Sequence, residues 1–144
     1  MRISRRSMFQ YAGAADWSGN IVRYNTSLND GNKNSHAGLA VWCDPSARPM
    51  KNCSIYNNIV ISDQGHDVYF ETGDYEGFEF ENNIFTLTAR GDNFIEGKFS
   101  GAKFRNNQYW SFYMSSKGLP QPDVMYDPDP IYSEPSLDIP MIKE

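Results

Sequence analysis

One four-residue pattern recurs along this chain and restricts its fold more than any other feature. An apolar residue stands three places before an asparagine in Val22-Arg23-Tyr24-Asn25, Ile55-Tyr56-Asn57-Asn58, Phe80-Glu81-Asn82-Asn83 and Phe104-Arg105-Asn106-Asn107. Asn25, Asn58, Asn83 and Asn107 follow one another at intervals of 33, 25 and 24 residues. Repeats of about 20–50 residues belong to solenoids, propellers and stacked arrays, because each unit buries its apolar face only against its neighbours. Helical periodicity is absent and leucine and alanine are scarce, which disfavours helical repeats. Strand-like runs follow the asparagines instead: Leu39-Ala40-Val41-Trp42-Cys43, Val68-Tyr69-Phe70 and Asn93-Phe94-Ile95-Glu96. Each unit reads as about three short strands separated by turns. The expectation is an all-β chain, a parallel β-helix of about four coils with strands ~4.8 Å apart from coil to coil.

In such a coil the asparagine has two uses. It tolerates the left-handed backbone that a tight turn needs. Its side-chain amide, stacked above its counterparts, can hydrogen-bond along the axis as an Asn ladder. The residues three before it (Val22, Ile55, Phe80, Phe104) are expected to point inward, and Ile59 and Ile84 likewise after the turn. Residues 1–144 form a single domain in this reading, with coils over about 8–110 and an irregular tail over 111–144. Six of the eight prolines fall between Pro120 and Pro140, where the main chain cannot continue pairing, so the tail is expected to cap the last coil. The first strand-like run, Phe9-Gln10-Tyr11, has no cap before it. An open first coil is an edge on which a second copy can pair, giving a homo-oligomer.

Composition narrows the partners. A net charge of −5 leaves no basic excess for binding nucleic acid by bulk charge. No apolar run is long enough to span a membrane. Ser4-Arg5-Arg6-Ser7 resembles a twin-arginine export signal, but the residues that follow are too few and too polar for an apolar signal core, so no targeting segment is expected. Two cysteines, Cys43 and Cys53, are too few for a disulfide framework or zinc site and read as buried free thiols, with one disulfide as the alternative. Arg90-Gly91-Asp92 and the sequons at Asn25 and Asn52 are matches that short patterns produce by chance.

The x-Asn-Asn-Ile turns, the stretch Arg23-Tyr24-Asn25-Thr26-Ser27-Leu28-Asn29-Asp30-Gly31 and the ending Tyr126-Asp127-Pro128-Asp129-Pro130-Ile131-Tyr132 resemble the right-handed parallel β-helix superfamily, the pectate-lyase-like group. The similarity is to bacterial carbohydrate-active members and covers roughly residues 8–132. Relatives of this group are usually longer, so the chain reads as a C-terminal fragment. The resemblance implies a polysaccharide-processing protein, a glycoside hydrolase or polysaccharide lyase, or a truncated piece of one. It places the protein outside the cell or in the periplasm, with a polysaccharide or oligosaccharide as partner. A non-catalytic carbohydrate-binding or structural β-helix, adhesin-like or tail-fibre-like, is the alternative, since one fold carries many chemistries.

Candidate chemistry follows from offsets within the repeat. Asp30 lies five after Asn25 and Asp63 five after Asn58, so stacking brings the two carboxylates to similar positions. His36 and His66 shortly precede the next strands. Paired carboxylates about 5–5.5 Å apart suit retaining glycoside hydrolysis, so Asp30, Asp63, His36 and His66 are the catalytic candidates. Asp30, Asp63 and Asp67 also form an oxygen-rich set of the kind Ca²⁺ takes. The plainer reading is that Asp and Asn in turns bond their own backbone. Trp42, Tyr69, Glu71 and Arg90 are the carbohydrate-binding candidates, aromatic faces offering platforms for sugar rings. Trp17, Trp110, Asp74 and Glu96 are secondary members, and the resemblance adds Lys33, Arg90 and Lys98 as basic groups for a lyase. The longer loops Asn29–Ala37 and Asp44–Lys51 would line one functional face.

Overall fold

The computed structural model describes residues 9–10, 18–31, 37–42, 50–71 and 75–137. In chain order the strands are β1 (Phe9–Gln10), β2 (Ile21–Arg23), β3 (Thr26–Leu28), β4 (Leu39–Val41), β5 (Met50–Lys51), β6 (Ser54–Tyr56) and β7 (Ile59–Ser62). They continue as β8 (Val68–Phe70), β9 (Tyr75–Glu76), β10 (Phe78–Glu81), β11 (Ile84–Leu87), β12 (Ile95–Gly97), β13 (Ala102–Arg105) and β14 (Gln108–Ser111), and a short helix α1 (Phe112–Ser116) follows. Sheet A has the order β1-β4-β8-β12, sheet B pairs β5 with β9, sheet C runs β13-β10-β6-β2 and sheet D runs β14-β11-β7-β3. Among the described residues every strand pairing is parallel. The fold is all-β, parallel strands in stacked sheets, compatible with a β-helix. Sheet B is a fourth, short face that the expected three strands per unit did not include.

Stacked apolar side chains hold the sheets together. Val22, Ile55, Phe80 and Phe104 are in register across sheet C and all buried. Phe80 and Phe104 stack with centroids 4.7 Å apart, and Phe85 and Tyr109 of sheet D at 5.5 Å. Aromatic pairs of this kind add about 0.5–1.5 kcal/mol beyond the area they bury. Ile59 and Ile84 correct the expectation for the residues after the turn. They are only half-buried, and Val60 and Phe85, one place on, fill the core. The turn sets this phase, because alternate strand residues face opposite ways and one step inverts the set.

The two uses expected of one asparagine are divided between two residues. The left-handed position belongs to the preceding residue: Tyr24, Asn57, Asn82 and Asn106 have φ of 56°, 55°, 55° and 54°. The marked residue instead supplies the amide. Asn25 Nδ2 donates to Asn58 Oδ1 at 3.0 Å, Asn58 Nδ2 to Asn83 Oδ1 at 3.0 Å, and Asn83 Nδ2 to Asn107 Oδ1 at 2.9 Å. Each acceptor oxygen also takes the backbone N–H of the preceding asparagine. The doubled Asn-Asn therefore satisfies one steric and one hydrogen-bonding demand. In the first repeat a tyrosine occupies the steric position, at the cost that a left-handed backbone imposes on a bulky side chain. Tyr24→Asn is expected to raise stability by up to about 1 kcal/mol, read as a higher urea midpoint.

The tail closes the last repeat. Asp127 stands where the next amide would be, its Oδ2 accepting from Asn107 Nδ2 at 2.9 Å and from the Asn107 backbone at 3.1 Å. Ile131 pairs with β14 through Tyr109 N–H and the Asn107 carbonyl, both at 2.9 Å. Val124 and Tyr126 cover the end of the core. Tyr132 Oη accepts from the Val124 backbone at 2.7 Å and fixes the tail upon itself. Cys53 is a buried free thiol, pushed up by burial; Cys43 lies outside the described residues.

Candidate functional site

The outer side of sheet A gathers most of the described candidates. Alternation along β8 sends Val68 and Phe70 into the core and turns Tyr69 outward, half-buried. Tyr69 is in register with Ala40 on one side and Glu96 on the other. His66, in the loop before β8, reaches the same place. Its Nδ1 lies 3.0 Å from Glu96 Oε2, and its ring is tilted against Tyr69 with centroids 5.7 Å apart. Two residues along, Glu71 N–H donates to Val41 and Lys98 N–H to Phe70, so Trp42, Glu71 and Lys98 extend the row. Gly97 permits this approach: its φ is +96°, and a Cβ there would sit 1.8 Å from the Phe70 carbonyl oxygen. The face thus combines an aromatic ring, a half-buried tryptophan, a histidine–carboxylate pair, a further carboxylate and a lysine.

Chemically, the Glu96 carboxylate accepts from the imidazole and holds its orientation, which is how a carboxylate fixes a histidine tautomer. Tyr69 and Trp42 offer apolar ring surface beside polar edges. The sequence singled out Tyr69, Glu71, Trp42 and His66 separately. It ranked Glu96 and Lys98 lower, although strand alternation and register place them in the same row.

The first carboxylate pair looks different. Asp30 and Asp63 do hold equivalent places, each two residues beyond register partners Leu28 and Ile61. Asp30, however, is buried, and its Oδ2 accepts from Ser27 Oγ at 2.9 Å within the same turn. Asp63 is half-buried and accepts from Gln64 Nε2 at 2.8 Å. Both carboxylates hold hydrogen bonds within the local turn. His36, Lys33, Trp17 and Asp74 lie outside the described residues.

Among the described residues no group of three or more His, Cys, Asp or Glu side chains is placed to hold a metal ion. Asp67 belongs to the interior: it is fully buried, and among the described residues neither carboxylate oxygen has a hydrogen-bond partner of ordinary geometry. The Arg90–Gly91 backbone runs beside Gly65, the residue before His66. Arg90 is exposed in the loop after β11, lining a cavity of about 580 Å³ with Asp92, Tyr113, Met114 and Leu119.

Burial pushes the Asp67 carboxyl well above the usual carboxylate range, an effect the Thr86 backbone offsets in part. The unfolded chain ionises at an ordinary value near 3.8. Between that value and the raised folded one, the folded state holds the extra proton, so stability is full below the first and falls as pH rises toward the second. Asp67→Asn is expected to flatten this fall and to be more stable than the parent at neutral pH. Urea unfolding at several pH values between about 4 and 8 checks it; an unchanged slope would assign the pH dependence to other groups.

No protein-family model matches the chain, and no curated protein and no solved structure matches it.

Proposed function

We propose that this chain is a right-handed parallel β-helix of the pectate-lyase-like kind, with its asparagines as a ladder, and that it engages a polysaccharide along the outer side of sheet A. The observation that supports this reading is the row on that face: Tyr69 in register with Glu96, His66 on Glu96, and Trp42, Glu71 and Lys98 two residues along. Parallel stacking repeats side chains at ~4.8 Å, a spacing that suits a ligand built of repeated rings. Aromatic faces would stack on the rings, and carboxylate and ammonium groups would meet hydroxyls. The catalytic version of the proposal gives the acid–base role to His66 with Glu96 rather than to Asp30 with Asp63, because Asp30 is buried on Ser27. The family expectation also makes this a secreted protein.

The test is a panel of neutral and uronic polysaccharides, followed for binding, for new reducing ends and for ultraviolet absorbance of unsaturated uronates. Reducing ends with absorbance would mean a lyase, reducing ends alone a hydrolase, and binding alone a carbohydrate-binding module. Tyr69→Ala is expected to weaken binding about tenfold, the equivalent of one aromatic contact. Retention of full affinity in that variant would remove sheet A from consideration.

A further inference from the structure

A second surface stands on the turns between sheets C and D. Tyr24, Asn57, Asn82 and Asn106 occupy the same left-handed position in successive repeats, and all four are exposed. Asn57 N–H donates to Glu81 O and Asn82 N–H to Arg105 O, both at 3.3 Å, while Tyr24 N–H donates one place further, to Asn57 O at 3.1 Å. The result is a ridge of one phenol ring and three carboxamides along the stacking direction. Asn106 Nδ2 donates to Asn82 Oδ1, which aligns two of the amides.

The first member of the ridge is the unusual one. Tyr24 is 71% exposed, although the same position is filled elsewhere by asparagine, which suits that backbone better. Its ring packs against Arg23 and Tyr56. Arg23 lies over Tyr24 at 5.7 Å and over Tyr56 at 5.9 Å, and Arg23 Nη1 donates to Tyr56 Oη at 3.0 Å. The two tyrosine rings meet edge to face, 6.2 Å apart. A strained backbone that displays a braced aromatic ring to solvent is a pattern found where a ring is used in recognition.

The charges beside the ridge decide what it fits. Arg23 is engaged with both rings, and Arg105 is paired with Glu81 at 3.3 Å. The ridge itself carries no charged side chain. A polyanion would meet Glu81 and a polycation would meet the arginines, whereas carboxamides pair well with hydroxyls and a phenol face with the apolar side of a sugar ring. We infer that this ridge binds a neutral linear glycan lying along the stack, one end ring on Tyr24 and successive hydroxyls on Asn57, Asn82 and Asn106. The site is separate from the face of sheet A and is tested separately.

The experiment is a nitrogen-15 NMR titration of the whole chain with cellohexaose, a flat neutral glycan, and with a hexamer of galacturonate for comparison. The side-chain amide signals of Asn57, Asn82 and Asn106 are expected to shift saturably with cellohexaose and less with the acidic hexamer. Tyr24→Asn removes the ring yet relieves the backbone, so it is expected to weaken binding at least fivefold while its urea midpoint stays level or rises. Tyr69→Ala should leave these shifts intact. Equal affinity in Tyr24→Asn, shifts confined to sheet A, or no shift at all would overturn the inference. Equal or tighter binding of the acidic hexamer would overturn the assignment to a neutral glycan. Loss of sheet A binding in Tyr69→Ala with the ridge shifts retained would support both sites as independent.

Discussion

Asp127→Ala is expected to lower the unfolding free energy by at least about 4 kcal/mol, since hydrogen bonds to a charged group contribute about 1.5–3 kcal/mol each and stranded donors add to the loss. The Asp127 carboxylate is almost wholly buried and accepts from five donors. Oδ2 takes Asn107 N–H at 3.1 Å, Asn107 Nδ2 at 2.9 Å and Tyr109 Oη at 3.0 Å, and Oδ1 takes Asn106 N–H at 3.1 Å and Asp129 N–H at 3.0 Å. Burial, with Tyr126 and Asp127 close by, holds the Tyr109 phenol well above its usual range, so it remains a donor throughout. An aspartate suits this place for a reason asparagine does not share. The stacked amides of the preceding repeats donate toward the tail, and the last member needs only to accept. Asp127→Asn is therefore expected to fall between parent and Ala, its amide NH₂ facing donors. Urea denaturation followed by circular dichroism ranks the three. A loss below about 1 kcal/mol for Asp127→Ala would mean that water replaces the carboxylate and that the tail is not fastened there.

Asn83 presents the opposite requirement, and its substitution should have a similar effect. Its Nδ2 donates to Ile55 O at 2.9 Å and Asn107 Oδ1 at 2.9 Å, while its Oδ1 accepts from Asn58 N and Asn58 Nδ2, both at 3.0 Å. A side chain there must donate and accept at once. Asn83→Ala is expected to cost about 3 kcal/mol, several net hydrogen bonds plus buried groups left unmet. Asn83→Asp should cost more, because a carboxylate would face the Ile55 carbonyl and the Asn107 amide oxygen with nothing to donate. The order parent, Ala, Asp at position 83 and parent, Asn, Ala at position 127 would together establish the direction of the amide chain. Equal losses for Ala and Asp at position 83 would show that the donor role alone matters.

Much of the architecture was legible because it rests on local chemistry. An apolar residue three before each asparagine is an inward strand position next to a turn, and Val22, Ile55, Phe80 and Phe104 are in register and buried. The misplacement of Ile59 and Ile84 has an equally local cause. Strand phase after a turn depends on which residue takes the left-handed backbone, and the sequence motif marks the asparagine pair without saying which member does so. Sheet B was not legible, since two-residue strands such as Met50–Lys51 and Tyr75–Glu76 leave no alternation to read.

The candidate sites divided along the same line. Equal offsets placed Asp30 and Asp63 at equivalent positions, but offsets are blind to burial, and Asp30 turned inward to Ser27. Register across β8 and β12 united Tyr69, His66 and Glu96, residues separated by up to thirty places in the chain and drawn together only by pairing. The exposed ridge of Tyr24, Asn57, Asn82 and Asn106 was hidden inside the motif, because the turn was assigned to the asparagine that follows each of them.

What the amino-acid sequence determined by itself was the repeat, the strand-and-turn character of each unit and the inward residues before the turn. These follow from side-chain polarity and from the steric tolerance of asparagine, both properties of neighbouring residues. Tertiary structure alone decided that a tail aspartate ends the chain of amides, that Asp67 is buried, and which exposed side chains share a face. Those outcomes depend on which backbones are stacked against one another, and parallel pairing joins residues that no short stretch of sequence contains.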